Sequence, residues 1–329
     1  MQLTFQQAID LTVTTLNRYG MAADNARQVA DHLLEAALCG HEFSSLPRLL
    51  AIVEELKAKP PAGPIRVSRE DGCFAHIDGG DNIAYVVSLQ AVDKAIEICR
   101  RHGVAVVTAS DTWFSGRCAY YVERAARAGF VAMHTTNTTA RVAPFGGVER
   151  LMGTNPFAIA FPSTDDPVVI DIGTSAITWG DVVLARAKGE SLPPGVAVGK
   201  DGRMTLDASS ALEGAFLPWG GQRGSALALA VQLLGILAGS EVVIKDTCNY
   251  GLFFVVIDPE RVIPGGEFKA QVSELRRAVS SNPALESGNP VRVPGDGSQS
   301  RRKLALQSGV ITLDDKVYAR IVELTSQCL

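Results

Sequence analysis

Two short segments concentrate the side chains with chemistry to offer: Gly40-His41-Glu42-Phe43-Ser44-Ser45-Leu46-Pro47-Arg48 and, much later, Gly220-Gly221-Gln222-Arg223-Gly224-Ser225. The first sets an imidazole, two hydroxyls and a guanidinium close together. Imidazole and hydroxyl groups can pass a proton to a reacting atom, and the guanidinium fork matches a carboxylate. Each residue also has a purely structural alternative. Ser44 is either a helix cap or a group that takes part in proton delivery, and Ser45 is an equally good cap. His41 is either a hydrogen-bonded residue that orients Ser44 or the backbone, or a chemical participant. Arg48 either grips a carboxylate or lies on a solvated helix face. Asp181, in Trp179-Gly180-Asp181-Val182, is either a site carboxylate or a helix N-terminal residue that complements the dipole.

Helices must position the first segment. Thr4 with Gln7 has the form of a capping box, helical spacing runs through Leu16, and Gly20 stands where a C-terminal cap would. A second helix is expected from about Asn25 to Cys39, ending at Gly40, and a third from about Pro47 to Lys59. The motif therefore falls at a helix junction, where first-turn N–H groups and the dipole favour a carboxylate. Pro60-Pro61-Ala62-Gly63-Pro64 reads as a linker, beyond which strands and helices alternate. Strands are expected at 74–77, 104–109, 130–135, 168–172 and 253–257, and helices at 83–102 and 116–128. A mostly apolar helix, 225–237, should be buried. After Pro264, helices at 265–280 and 314–326 flank a polar loop, 281–300. The expected divisions are 1–64, a helical segment, 65–262, an α/β domain for cofactor and substrate, and 263–329, packing with the N-terminal helices.

Composition narrows the partners. The 329 residues are 47% hydrophobic and 20% charged, ample for a core, and carry a formal net charge of -4. With no basic stripe or Lys/Arg-rich tail, neither nucleic acid nor an anionic membrane is an expected partner, and small molecules are. The six cysteines, at 39, 73, 99, 118, 248 and 328, lack paired C-x-x-C spacing. They read as reduced cytosolic thiols, with no metal expected. No signal peptide or spanning helix is expected, which fits a cytoplasmic setting. Neither Gly-x-Gly-x-x-Gly after a strand nor a phosphate loop occurs, so the residues alone give a soluble α/β enzyme or binding protein.

Further blocks lie between and after the two segments: Val142-Ala143-Pro144-Phe145-Gly146-Gly147, Gly153-Thr154-Asn155-Pro156, Asp171-Ile172-Gly173-Thr174-Ser175, Leu217-Pro218-Trp219-Gly220-Gly221 and Pro294-Gly295-Asp296. Together, over nearly the whole chain, they resemble the malate/L-lactate dehydrogenase type 2 family of non-Rossmann NAD(P)H oxidoreductases. The resemblance implies an α/β (α+β) fold. Its cofactor domain has a seven-stranded, mostly antiparallel sheet, its N- and C-terminal helical segments pack together, and it forms a homodimer with shared active sites. The family's early segment reads Gly-His-Asp-Ser-His-Gly followed by Arg. This chain keeps His41 and Arg48 but carries Ser44 where the second, proton-donating His falls. Arg48 and Thr154 are implied on the substrate. Trp113, Phe114, Ser115, Gly116, Arg117, Asp171, Ile172, Gly173, Arg223 and Gly224 are implied on the dinucleotide, with Trp113 standing where the family usually has His. Arg301 and Arg302 are either a clamp for the 2′-phosphate of NADPH or a solvated basic surface, and Arg141 is a similar candidate.

Within the family, Gly-Lys after the Thr-Ser pair marks hydroxy-acid dehydrogenases, whereas Gly-Asp-Val marks the Δ1-pyrroline-2-carboxylate and Δ1-piperideine-2-carboxylate reductases. Here the sequence is Gly180-Asp181-Val182, and Arg223-Gly224-Ser225-Ala226 also resembles the reductases, although those retain the His that Ser44 replaces. The chemistry runs the same way. A ketone taking up hydride becomes an alkoxide that needs an acid. An iminium is already protonated, and a carboxylate such as Asp181 would stabilise it. The expected activity is NADPH-dependent reduction of Δ1-pyrroline-2-carboxylate to L-proline, with the six-membered homologue as second substrate and NADH as the alternative cofactor. A 2-hydroxy acid dehydrogenase of the malate, lactate or ureidoglycolate kind, or an inactive dinucleotide-binding member, are the competing expectations.

Overall fold

The computed structural model describes residues 1–286 and 288–326. Two compact units divide the chain, Met1–Ala62 with the segment from Val279 onward, and Gly63–Ala278. The first begins with β1 (Gln2–Thr4), α1 (Phe5–Arg18), α2 (Ala23–Leu38) and α3 (Arg48–Ala58). The capping box at the start of α1 is formed: Thr4 N–H donates to Gln7 Oε1 at 2.8 Å and Gln7 N–H to Thr4 Oγ1 at 3.2 Å. Each bond satisfies an amide the helix cannot.

The second unit runs β2 (Arg66–Asp71), β3 (Phe74–Ile83), α4 (Ala84–His102), β4 (Val104–Trp113), α5 (Cys118–Arg127), β5 (Val131–Thr136), β6 (Phe157–Phe161) and β7 (Val168–Ile172). It continues with α6 (Trp179–Lys188), β8 (Ala197–Val198), α7 (Ala208–Glu213), β9 (Ala215–Phe216), α8 (Gln222–Leu237), β10 (Leu252–Ile257) and α9 (Glu267–Ser280). The chain then adds α10 (Asp296–Ser308), β11 (Val310–Thr312) and α11 (Asp315–Ser326) to the first unit, where β11 pairs with β1.

The large sheet has seven strands in the order β2-β3-β4-β10-β5-β6-β7, antiparallel except for the β3–β4 pair. Alternation along the strands decides which face is covered. Ala75, Ile77, Ala105, Val107, Ala109, Ala132, Ala158 and Ala160 point into one core with Val92, Ala95, Ile98, Tyr121 and Val122 of α4 and α5. The many alanines let those helices lie close to the strands. On the opposite face Phe74, Val104 and Ile257 are 57%, 36% and 39% exposed. A smaller cluster, with Val142, Ile177, Val182, Leu192, Ala208 and Phe216, holds α6 and α7 in a separate lobe of the same unit.

Three expectations are corrected here. Helix α8 is buried on one side only: Ala228, Val231, Gln232 and Gly235 are buried, whereas Leu229, Leu233 and Leu237 are 52%, 58% and 70% exposed. A helix that is apolar all round carries no sign of which stripe meets the sheet. The polar loop expected at 281–300 ends at Gly295, where φ of 95° turns the chain into α10. The division expected at 262 lies at Ala278, because Ser273 Oγ accepts from Thr164 N–H at 3.0 Å and Arg276 Nη1 donates to Asp166 O at 2.7 Å, tying α9 to the sheet unit. Among the described residues no helix is long and apolar enough to cross a membrane. Cys39, Cys73, Cys99, Cys118 and Cys248 are free thiols, and Cys328 lies outside the described residues.

Candidate active site

The α2–α3 junction is built around a turn that only glycine permits. Gly40 has φ of 77°, and a Cβ there would lie 2.5 Å from Arg301 Cδ and Nε. Its absence lets Arg301 cross the turn and donate from Nε to Cys39 O at 2.7 Å. Ser298 Oγ sits 3.3 Å from His41 Nε2, and Arg302 pairs with Glu35 at 2.7 Å. Helix α10 thus fixes the end of α2 and the ring of His41. Both guanidinium groups expected at a 2′-phosphate are engaged within their own unit, which weighs towards a structural part for them.

The two serines separate. Ser45 is buried and its Oγ donates to Glu42 O at 2.7 Å. Helix α3 is capped by neither hydroxyl, since its N-cap position is Pro47 with no side-chain cap bond. Proline sets the backbone angle of that turn by itself, which removes the cap from the two alternatives weighed for Ser44. Ser44 is half-buried, and its hydroxyl makes no hydrogen bond among the described residues. Arg48 opens α3 with its guanidinium 5.6 Å from the Phe43 ring centroid, a cation–π contact that helps orient the fork.

In the sheet unit, the strand ends bring most of the other expected residues together. After β4 the chain turns through Phe114 and Gly116, at φ of 48° and 69°, into the N-terminus of α5. Asp171, at the end of β7, accepts the Ala119 N–H in its Oδ2 at 2.7 Å. Although the residue reaches solvent, the protein packed around its carboxyl raises its pKa, against the Ala119 amide and the Arg117 charge that lower it. The strand continues through Ile172 and Gly173 to Thr174, whose N–H and Oγ1 both donate to Thr154 O at 3.0 Å, while Thr174 O accepts from Trp219 N–H at 2.8 Å. Trp219 leads into Arg223 and Gly224, where a Cβ would stand 1.9 Å from Trp219 O. Arg223 is exposed at the first turn of α8. Phe114 to Arg117, Thr154, Asp171 to Gly173 and Arg223 to Gly224 therefore form one connected rim.

Trp113 belongs to the packing beneath that rim, 2% exposed with its Nε1–H on Asp81 O at 2.9 Å. Asp181 closes a capping box at α6: its Oδ2 accepts from Thr178 Oγ1 at 2.7 Å, and its N–H donates to Thr178 Oγ1 at 3.1 Å. Its Oδ1 stays outside that box. Asn155, a residue the sequence did not single out for a role, holds the Thr154 segment. It is fully buried at φ of 34°, and its Nδ2 donates to Ala228 O at 3.0 Å and Gln232 Oε1 at 2.9 Å. The Asn-Pro pair was the available signal, since it marks a fixed turn. Arg141 lies 5.1 Å from the Trp179 ring centroid. Among the described residues no group of three or more His, Cys, Asp or Glu is placed to hold a metal.

Comparison with known proteins identifies the scaffold. Residues 3–322 match the malate/L-lactate dehydrogenase family, and the chain belongs to it, a family of NAD(P)-dependent oxidoreductases. The L-sulfolactate dehydrogenase of Methanocaldococcus jannaschii is 32% identical over 327 residues, covering 96% of this chain and 94% of the relative. A dehydrogenase structure from Sinorhizobium meliloti superposes with a TM-score of 0.91 at 31% identity, covering 99% of this chain and 98% of that one. The Δ1-piperideine-2-carboxylate reductase of Pseudomonas syringae pvar. tomato has a TM-score of 0.89 at 28% identity, over 98% of this chain and 99% of that one. The fold of this chain is thus shared with the family of an L-sulfolactate dehydrogenase relative and with a Δ1-piperideine-2-carboxylate reductase.

Proposed function

We propose that the protein reduces the C=N bond of a cyclic 2-imino acid, Δ1-pyrroline-2-carboxylate first and Δ1-piperideine-2-carboxylate second, with NADPH as the preferred reductant, giving L-proline and L-pipecolate. The observation that carries this is Ser44. Its hydroxyl caps no helix and makes no hydrogen bond among the described residues, yet it occupies the place where the resemblance puts a proton-donating His. A ketone reductase loses roughly 100-fold or more without a positioned acid, whereas a preprotonated iminium loses far less.

The rim residues fit a nicotinamide dinucleotide. The positive-φ turn at Phe114 and Gly116 opens onto a helix N-terminus, and Arg117 and Asp171 offer a cation and a hydroxyl-binding carboxylate. Phe114 to Arg117, Asp171 to Gly173 and Arg223 with Gly224 would hold the cofactor, which supplies the hydride when bound. Arg48 pairs with the substrate carboxylate through its fork. Asp181, through the oxygen outside its capping box, offsets the iminium charge. Hydride addition at the ring carbon moves the C=N electron pair onto nitrogen, leaving a neutral amine, so no alkoxide forms and no acid is required at that step. His41, held at Ser298, orients the Ser44 segment, and Ser44 hydrogen-bonds the ring nitrogen or a water beside it. A homodimer with shared sites and a cytoplasmic setting go with this function.

The test is oxidation of NADPH with Δ1-pyrroline-2-carboxylate set beside pyruvate, oxaloacetate and sulfopyruvate. An imine preference of at least ~100-fold in kcat/KM is expected. Faster turnover of a 2-keto acid would replace this function with 2-hydroxy acid dehydrogenation, which the sulfolactate relative favours. Cofactor binding with no turnover on any of them would leave an inactive dinucleotide-binding member.

A further inference from the structure

We infer that Gln232 of α8 is a positioning residue for the hydride transfer: acting through Asn155, it fixes Thr154 against the Arg223–Gly224 start of its own helix. The inference rests on the reading above, in which Thr154 meets the substrate and Arg223 with Gly224 the dinucleotide.

Two buried amides and two backbone groups form a chain of hydrogen bonds with a single direction. Gln232 Nε2 donates to Val242 O at 2.9 Å, and because a carbonyl only accepts, the NH2 of Gln232 must face it. Gln232 Oε1 is thereby turned to Asn155 Nδ2, which donates to it at 2.9 Å and to Ala228 O at 3.0 Å. Asn155 Oδ1 is left to accept the Thr138 N–H at 3.3 Å. Reversing either amide would set two acceptors together at one end and two donors at the other. In a buried network that mismatch is costly, so each link fixes the next. A side chain needed only for packing would not have to be an amide at all.

The chain ends on the rim. The carbonyls of Thr154 and Asn155 both accept from Thr174 Oγ1, at 3.0 and 3.2 Å, and Asn155 is held at φ of 34°. On the other side of Thr154, a Cβ at Gly153 would stand 2.7 Å from Asn155 Oδ1, so that residue lies directly on the amide. The two α8 groups that Asn155 contacts, Ala228 O and Gln232 Oε1, belong to successive turns, and Arg223 and Gly224 open the same helix. A helix gripped at two turns carries its first turn with it. Thr154 and Gly224 are therefore set relative to one another through Asn155, and with them the separation of hydride donor and acceptor. A misplacement of about 1 Å there can cost about 100-fold in rate.

Steady-state kinetics and NADPH titration on two variants of the whole protein test this. Gln232→Met is close in volume and breaks the chain. It should lower kcat about 10- to 100-fold while the NADPH dissociation constant stays within about threefold. Gln232→Glu carries a pH test. Burial raises the pKa of the new carboxyl, and below that pKa its O–H donates to Val242 O as the amide does. Above it, lone pairs face Val242 O, so the ratio of variant to wild-type kcat should fall towards the Met level as pH rises between about 5 and 9. Wild-type kcat in Gln232→Met, a loss confined to thermal stability or NADPH affinity, or a Gln232→Glu ratio that does not change with pH would overturn the assignment. If the protein turns over a 2-oxo acid in place of the imine, the same measurements on that acid decide the matter, and only the substrate of the earlier reading is lost. A wild type that turns over neither removes both.

Discussion

The α2–α3 junction and the start of α6 treat their polar side chains in opposite ways. At the junction, Arg301 and Arg302 of α10 engage Cys39 O and Glu35 and Ser298 holds His41, but the Ser44 hydroxyl makes no hydrogen bond among the described residues. At α6, the residue that marks the reductase branch is itself part of the scaffold, since one oxygen of Asp181 completes the capping box with Thr178. A residue type that points to chemistry can therefore serve the scaffold at the same time. At Ser44 the fold shows no such service, and at Asp181 it draws on one oxygen of the two.

The strongest way to break the comparison is at Arg48. If the junction is the substrate end of the site, Arg48→Ala should lower kcat/KM for the imine by an amount equivalent to about 2–4 kcal/mol, or roughly 30- to 1,000-fold, with the NADPH dissociation constant unchanged. Near-normal imine reduction would remove Arg48, and with it the junction, from the site. Next in size is Ser44→His, which should raise ketone reduction by about tenfold or more while moving imine reduction little, because only the ketone needs the acid. An equal effect on both substrates would mean that the position acts through structure.

Smaller effects separate cap from charge at α6. Thr178→Ala opens the capping box and keeps the carboxylate, whereas Asp181→Asn keeps a capping oxygen and deletes the charge. Thermal unfolding should register the first as a loss of about 1 kcal/mol, and steady-state kinetics the second as a several-fold drop in imine turnover. If Asp181→Asn reduces the imine normally, its carboxylate is a cap and nothing more. Smallest should be Arg301→Ala with Arg302→Ala. The Arg302–Glu35 ion pair is partly exposed, so the stability lost lies within about 1 kcal/mol. A selective rise in the NADPH Michaelis constant, with NADH unaffected, would return these residues to the 2′-phosphate.

Local signals in the sequence were readable because they depend on neighbours. The Thr4–Gln7 capping box, the strand at 104–109 and the glycine after α2 each follow from residues within a few positions of one another. The family and its sheet were legible from seven spaced blocks rather than from periodicity, since strand β2 is exposed along its whole length and shows no alternation. Tertiary partners were not legible. Nothing near Arg302 announces Glu35, and nothing within α8 says that Val231 and Gly235 meet the sheet while Leu233 does not. At the site, the residue types at Ser44 and Asp181 were visible, but which of them the scaffold had already engaged depended on Pro47 and Thr178.

The place of β10 in the sheet also sets a timetable. It lies between β4 and β5, yet Leu252 follows the last residue of β5 by more than a hundred positions in the chain. On the ribosome β4 and β5 are made early and each waits with an open edge for a strand that emerges only after β6, β7, the lobe containing α6 and α7, and then α8 have been synthesised. Edges of this kind invite pairing with other chains. A nascent chain paused before residue 252 would therefore hold its lobe without a sheet to carry it, and slow translation or chaperone cover over that interval should improve the yield of folded protein.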